Sequence, residues 1–244
     1  MNQSSYCDFS YYHFRETLDR IKKSFKFSNF QDYSSNDIIL RHDVDVSLEA
    51  ALKIAEIENE LGICSTFFIL LHAELYNPFS LNSSKIVSKL IQMGHKIGLH
   101  YHNTFFLENN LDPSKTITKE LELMESHYNT SIKVISSHDP EINKKISLKL
   151  IKDVVDAYSD EFIKNRKYLS DSVQNWREGC LCQNYTKYKK FQVLIHPIWW
   201  TKNNKNRYQI LNELEQGELN NYKKSVNYLR EKYQNYISEL ENSN

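Results

Sequence analysis

Ile38-Ile39-Leu40-Arg41-His42-Asp43-Val44-Asp45-Val46-Ser47 is the stretch on which the fold turns. Its apolar run reads as a buried strand. The run ends in two aspartates spaced i, i+2. Strand side chains alternate faces, so Asp43 and Asp45 point the same way. Two adjacent carboxylates repel and are costly to desolvate. They need a cation, a shared proton or water. The plain alternative is a solvated acidic turn. Ser47 reads as the N-cap of a helix that runs to about Leu61 and is stopped by Gly62. The C-terminal end of a strand, just ahead of a helix, is where α/β enzymes place their chemistry.

A second segment, Gly94-His95-Lys96-Ile97-Gly98-Leu99-His100-Tyr101-His102-Asn103, follows a helical pattern over about 83–93. It reads as another strand with a polar end. His100 and His102 share a face if the strand persists. Neutral imidazole is the commonest protein ligand for transition metals. Aspartates at one strand end and histidines at another make a mixed N and O ligand set. Such a set suits zinc or a similar divalent ion with positions left for water. His95 is placed at a helix C-terminal turn, where a cation or a hydrogen-bonding ring is favoured.

Further strands are predicted near 37–42, 64–70, 96–101, 132–136, 154–158, 167–171 and 191–195. Helices are predicted over 47–61, 83–93, 114–128 and 142–152. Alternating strands and helices imply parallel strands with helices outside. Periodicity alone fits an open doubly wound sheet as well as a barrel. The chain has only five glycines and no Gly-rich phosphate loop, which argues against a nucleotide-binding domain.

These motifs carry a resemblance to the polysaccharide deacetylases, the NodB-homology carbohydrate esterases. Arg41-His42-Asp43-Val44-Asp45 stands where that family has its paired-aspartate motif. Gly94-His95-Lys96-Ile97-Gly98-Leu99-His100 resembles its Gly-His-Glu-Ile-Gly-x-His motif. Val193-Leu194-Ile195-His196-Pro197 resembles its late Leu-x-His motif. The likeness spans roughly residues 37 to 200, in the right order. It implies an α/β fold of the distorted (β/α)7 barrel type. It also implies metal-dependent hydrolysis, most simply N-deacetylation of an acetamido sugar. Zinc is the expected ion, with cobalt, nickel, iron and manganese as alternatives. Asp45 and His100 are then the leading ligands, Asp43 the general base and His196 the general acid. The family's second histidine, four residues after the first, is Thr104 here. The third ligand is accordingly expected to be His138, in Ser136-Ser137-His138-Asp139-Pro140, or else His102.

The stretch from Tyr168 to Gly179 mixes aromatic, acidic and basic residues. Trp176 is a candidate platform for a sugar ring, against the alternative of a surface anchor. Asp171 and Arg177 are candidates to orient His196 or Asp43. Trp199 and Trp200 are expected in the wall around the site, or in the core. Tyr101 and Trp199 join Trp176 as candidate substrate contacts.

The 31 basic and 31 acidic residues balance, leaving no footprint for nucleic acid or an anionic membrane. No apolar run approaches the roughly 20 residues of a membrane helix. The first residues lack the pattern of a secretory signal, so a cytoplasmic location is expected. Cys64 reads as a core residue. Cys180-Leu181-Cys182 lacks a usual zinc spacing, so Cys7, Cys180 and Cys182 read as ordinary thiols.

The expected organisation is an N-terminal helical extension over 1–36, a catalytic barrel over 37–202 and a C-terminal helix over 203–244. Phe14, Leu18, Ile21 and Phe25 give 11–26 an amphipathic pattern. Tyr222, Val226, Leu229, Tyr233, Tyr236 and Leu240 form a heptad stripe, for docking on the chain's own domain or for a homodimer. The expected partner is an N-acetylated sugar or glycan precursor. Two other readings stand beside deacetylation. One is a sugar N-deformylase or other amide hydrolase. The other is a non-catalytic glycan-binding or scaffold relative, to which the missing histidine at position 104 points.

Overall fold

A sheet of eight parallel strands, seven of them along one path, organises the described residues of the fold seen in a computed structural model. The structure describes residues 7–34, 36–138 and 151–242. Their strands are β1 (Phe27–Ser28), β2 (Ile38–Val44), β3 (Thr66–Leu70), β4 (Lys96–His102), β5 (Val134–His138), β6 (Val155–Asp156), β7 (Lys167–Ser170) and β8 (Phe191–Ile195). The helices are α1 (Tyr11–Ile21), α2 (Leu48–Glu60), α3 (Leu81–Gln92), α4 (Asn103–Glu108), α5 (Pro113–Tyr128), α6 (Asp160–Ile163), α7 (Leu181–Asn184) and α8 (Arg207–Asn242). The chain forms two compact units, one up to Asn204 and one from Lys205 onward.

The sheet runs β6-β5-β4-β3-β2-β8-β7, with β1 pairing β2 at its side. Strands β2 to β6 follow in sequence order, and the last strand returns to pair β2, from Ile38↔Phe191 to His42↔Ile195. First-to-last pairing is the mark of a barrel rather than of a doubly wound sheet. Among the described residues no ladder joins β6 to β7. The architecture is a distorted (β/α)7 barrel.

The pleat assigns the two faces of each strand different work. Outward residues such as Leu40, Phe67, Leu99 and Val193 join Leu18, Ile54, Leu90 and Met124 of the helices in the main core. Burying each such side chain contributes on the order of 1.5–3 kcal/mol. Inward, Phe30, Ile39, Phe68, Val134, Ala157 and Phe162 form a separate apolar cluster that plugs the barrel. Gly98 belongs to this layer, opposite Phe68 in the ladder. A Cβ at Gly98 would lie 2.5 Å from the Phe68 ring, so the glycine is required by that ring.

Helix α2 begins as the sequence predicts, with Ser47 accepting from the Ala50 N–H. A buried polar network ties this helix to the outer face of the sheet. His42 Nε2 is 2.8 Å from Glu58, and the Ser65 hydroxyl donates to the same carboxylate at 2.6 Å. His95 follows Gly94 (φ +89°), and its N–H bonds back to the Leu90 carbonyl, a helix-ending turn. Its ring accepts from the Ser65 N–H, and burial pushes its pKa down, so it is a neutral packed ring and not a cation.

Some expectations shift. The N-terminal helix ends at Ile21, and Phe27–Ser28 is extended because it pairs β2. Cys64 precedes β3 and is exposed, so it is not a core residue. The helix expected over 142–152 falls mostly outside the described residues. Within α8, Tyr222, Leu229, Tyr233 and Tyr236 are exposed, while the side chain of Leu240 lies outside the described set. No helix among the described residues is long and apolar enough to cross a membrane.

Candidate active site

The inward face of β2 carries Ile39 into the plug and Arg41 and Asp43 above it, with Asp45 just beyond the strand end. Arg41 is fully buried. Its Nη2 donates to Asp43 Oδ2 at 2.9 Å, and its guanidinium lies 4.5 Å from the centre of the Tyr158 ring. Asp43 Oδ1 is buried and takes no hydrogen bond from the described residues.

Asp45, His100 and His138 converge from β2, β4 and β5. Asp45 Oδ1 lies 3.1 Å from His100 Nε2 and 3.4 Å from His138 Nδ1. The two ring nitrogens are 3.3 Å apart. Ligand atoms about 2.1 Å from one tetrahedral ion lie about 3.4 Å from one another, so these donors fit around a shared divalent cation. His100 Nδ1 is 3.0 Å from the Ser136 carbonyl. A carbonyl only accepts, so Nδ1 carries the proton and Nε2 offers its lone pair to the site. Burial pushes the Asp45 carboxyl up, but hydrogen bonds and charge from His100, His138 and His196 hold it well below the usual range.

His196 follows β8 and faces Asp45, with Nε2 3.8 Å from Asp45 Oδ2. Its Nδ1 donates to Asp171 Oδ1 at 2.7 Å, and its backbone N–H donates to the same oxygen at 2.9 Å. The Trp200 indole donates to the other oxygen at 2.8 Å. Burial alone would lower His196. The Asp171 hydrogen bond and charge, with Asp45 and Asp43, outweigh it and push the imidazole up to about 9.

Asp43, Asp45, His100, His138 and His196 open onto a cavity of about 700 Å³, whose wall includes Trp176, Arg177, Glu178 and Trp199. The wall is strained. Val173 and Gln174 hold φ of +57° and +55°, and for a β-branched residue this region costs on the order of 1–3 kcal/mol.

The structure places the other sequence candidates unevenly. His102 ends β4, with its ring 5.0 Å from that of His138, but it is not among the three converging donors. Thr104 lies on α4, because the chain turns into a helix directly after His102. Trp176, Trp199, Arg177 and Asp171 reach the site, although Arg177 makes no ion pair with Asp43; Arg41 does. Tyr101 is fully buried in the main core, stacked with Phe106, and does not line the cavity. Alternation along His100-Tyr101-His102 turns it outward.

No family model and no curated protein matches the chain. Solved structures similar to this chain include polysaccharide deacetylases and family 4 carbohydrate esterases. One is a polysaccharide deacetylase from Bacillus cereus, 15% identical, covering 66% of this chain and 78% of that chain at a TM-score of 0.42. Another is a family 4 acetyl xylan esterase from Clostridium thermocellum in complex with a cobalt ion, 13% identical, covering 66% and 73% at 0.40. A third is a CE4 family pseudoenzyme from Bacillus anthracis, 12% identical at 0.39. It covers 75% of this chain, which spans only 61% of that protein's length.

Two features escaped the sequence reading. Arg41 stands two residues before Asp43, on the same face by alternation. That spacing was a usable signal, but buried arginines are rare. The second is a cluster of Cys7, His13, Cys180 and Cys182, whose members are too distant in sequence for any local pattern.

Proposed function

We propose that this chain is a metal-dependent hydrolase that removes an N-acetyl group from an amino sugar in a glycan or glycan precursor. The convergence of Asp45, His100 and His138 beside two separately supported groups, Asp43 and His196, carries this reading. Asp45 and the two imidazoles would hold a divalent cation, with zinc the best match to two nitrogens and one oxygen. Such an ion supplies polarisation of water and of an amide carbonyl.

The chain's own residues supply the proton chemistry. Asp43 is fixed by Arg41 through Oδ2 and keeps Oδ1 to accept a proton from attacking water. His196 is fixed by Asp171 through Nδ1. Its raised basicity keeps Nε2 protonated, ready to deliver that proton to the departing amine. Trp176 and Trp199 give the cavity apolar walls against which a sugar ring can lie, and Arg177 and Glu178 provide polar groups for its hydroxyls.

The test is a screen of N-acetylated and N-formylated sugars and oligosaccharides against the zinc-loaded chain, with released acid quantified. Acetate supports the proposal. Formate alone would make the chain a deformylase. No acid from a metal-loaded protein would favour the binding-module reading.

A further inference from the structure

A second constellation lies outside the cavity. Cys7 precedes α1, His13 sits in its first turns, Cys180 N-caps α7 and Cys182 lies within that helix. One ligand atom from each of the four falls within 4.8 Å of all the others. Cys7 Sγ and Cys182 Sγ are 3.2 Å apart, and His13 Nε2 is 3.4 Å from Cys180 Sγ. The sulfur pair is not a disulfide, whose bond is about 2.05 Å. Thiolates about 2.3 Å from one tetrahedral zinc ion lie about 3.8 Å apart, so the pair would open by about half an ångström to hold the ion.

Three thiols and one imidazole, gathered from segments 167 residues apart, match the donor set of closed structural zinc sites. The surroundings are built to hold them. Asn184 Nδ2 donates to the carbonyls of Glu178, Gly179 and Cys180, each at 3.0 Å, which fixes the turn that presents Cys180. The Gln183 amide donates to Cys7 Sγ at 3.1 Å, as the outer partners of metal thiolates do. Cys180 is itself buried.

We infer that Cys7, His13, Cys180 and Cys182 form a structural zinc site, separate from the candidate active site and independent of the hydrolase reading. Binding releases the thiol protons to solvent and leaves four protein ligands with no open position. The site pins the segment ahead of α1 to the loop from Trp176 to Gly179, which forms part of the cavity wall. It also adjoins the residues behind His196. The His13 ring stacks on Trp200 at 6.4 Å between centroids and 8° between planes, and Trp200 is the donor to Asp171.

Cobalt(II) tests this on the full chain, kept reduced. A cobalt ion on thiolates gives an intense sulfur-to-metal charge-transfer band in the near ultraviolet, which an Asp-His-His set cannot give. The wild type is expected to show that band, Cys182→Ser to lose most of it, and His100→Ala to keep it. Elemental analysis of the zinc forms should show about one equivalent lost in each variant. No thiolate band in the wild type would overturn the inference, whatever the variants do. A full band in Cys182→Ser would also overturn it. A thiolate band in a chain that hydrolyses nothing leaves this site standing and removes the hydrolase reading.

Discussion

Arg41 and Asp43 occupy adjacent inward positions of one strand and are joined by a 2.9 Å charge-assisted hydrogen bond in the barrel interior. Both side chains are almost fully enclosed. An ion pair so placed is a weak source of net stability, because desolvation offsets much of the attraction. Its effect is geometric: one carboxylate oxygen is engaged and the other is left to the cavity.

Breaking that pair from one side should be costly. Arg41→Met leaves a carboxylate in an enclosed site and is expected to lose about 3–5 kcal/mol in urea unfolding. The double variant with Asp43→Asn should recover a large part of that loss. If single and double variants unfold alike, the arginine matters for its packing and not for its charge.

Asp43 and His100 should separate by metal content. Asp43→Asn is expected to retain zinc and lose turnover by about 10²–10⁴-fold, the span of a proton-transfer role. His100→Ala is expected to lose the metal itself. Equal zinc loss in both variants by elemental analysis would make Asp43 a ligand and remove it as the base.

His196 predicts a pH dependence. Its folded-state pKa is raised from 6.5 to about 9. Folding therefore favours its protonated form, and that contribution is complete below about 6.5 and lost as pH rises through about 9. In chelator-treated protein, the melting advantage of wild type over His196→Gln should shrink across that window. A constant difference between the two would show that the Asp171 contact does not raise the imidazole.

Gly98 should not tolerate a methyl group. Gly98→Ala drives a Cβ against the Phe68 ring and is expected to cost about 1–3 kcal/mol of stability. Adding Phe68→Leu should relieve the collision and restore part of the melting temperature. An unchanged midpoint for Gly98→Ala alone would mean that the ring moves aside freely.

The central barrel strands were legible because they are apolar runs with polar ends, as in Ile38–Asp45 and Phe191–His196. The paired aspartates and His100 drew attention for the same reason. His138 was harder. Only the ladder that sets it opposite His102 brings its ring toward Asp45. Tyr101 faces the core and not the cavity, as the alternation along its strand requires. The Cys7, His13, Cys180 and Cys182 cluster was out of reach. Its members meet through the docking of two loops, and no periodicity records such a meeting. The strained turn at Val173 was equally invisible, since neither Val173 nor Gln174 is a usual turn residue.

Strand β2 serves two masters with alternate residues. Arg41 and Asp43 belong to the cavity, while His42 reaches outward to Glu58 on α2. Removing Leu40, or adding one residue beside it, would turn the residues from Arg41 onward to the opposite face relative to Ile38 and Ile39, sending the arginine into the helical layer and the histidine into the barrel. Substitutions here can spoil chemistry or architecture one at a time, whereas a single-residue length change must spoil both. Insertion and deletion scanning should therefore find this strand wholly intolerant, even where individual point changes survive.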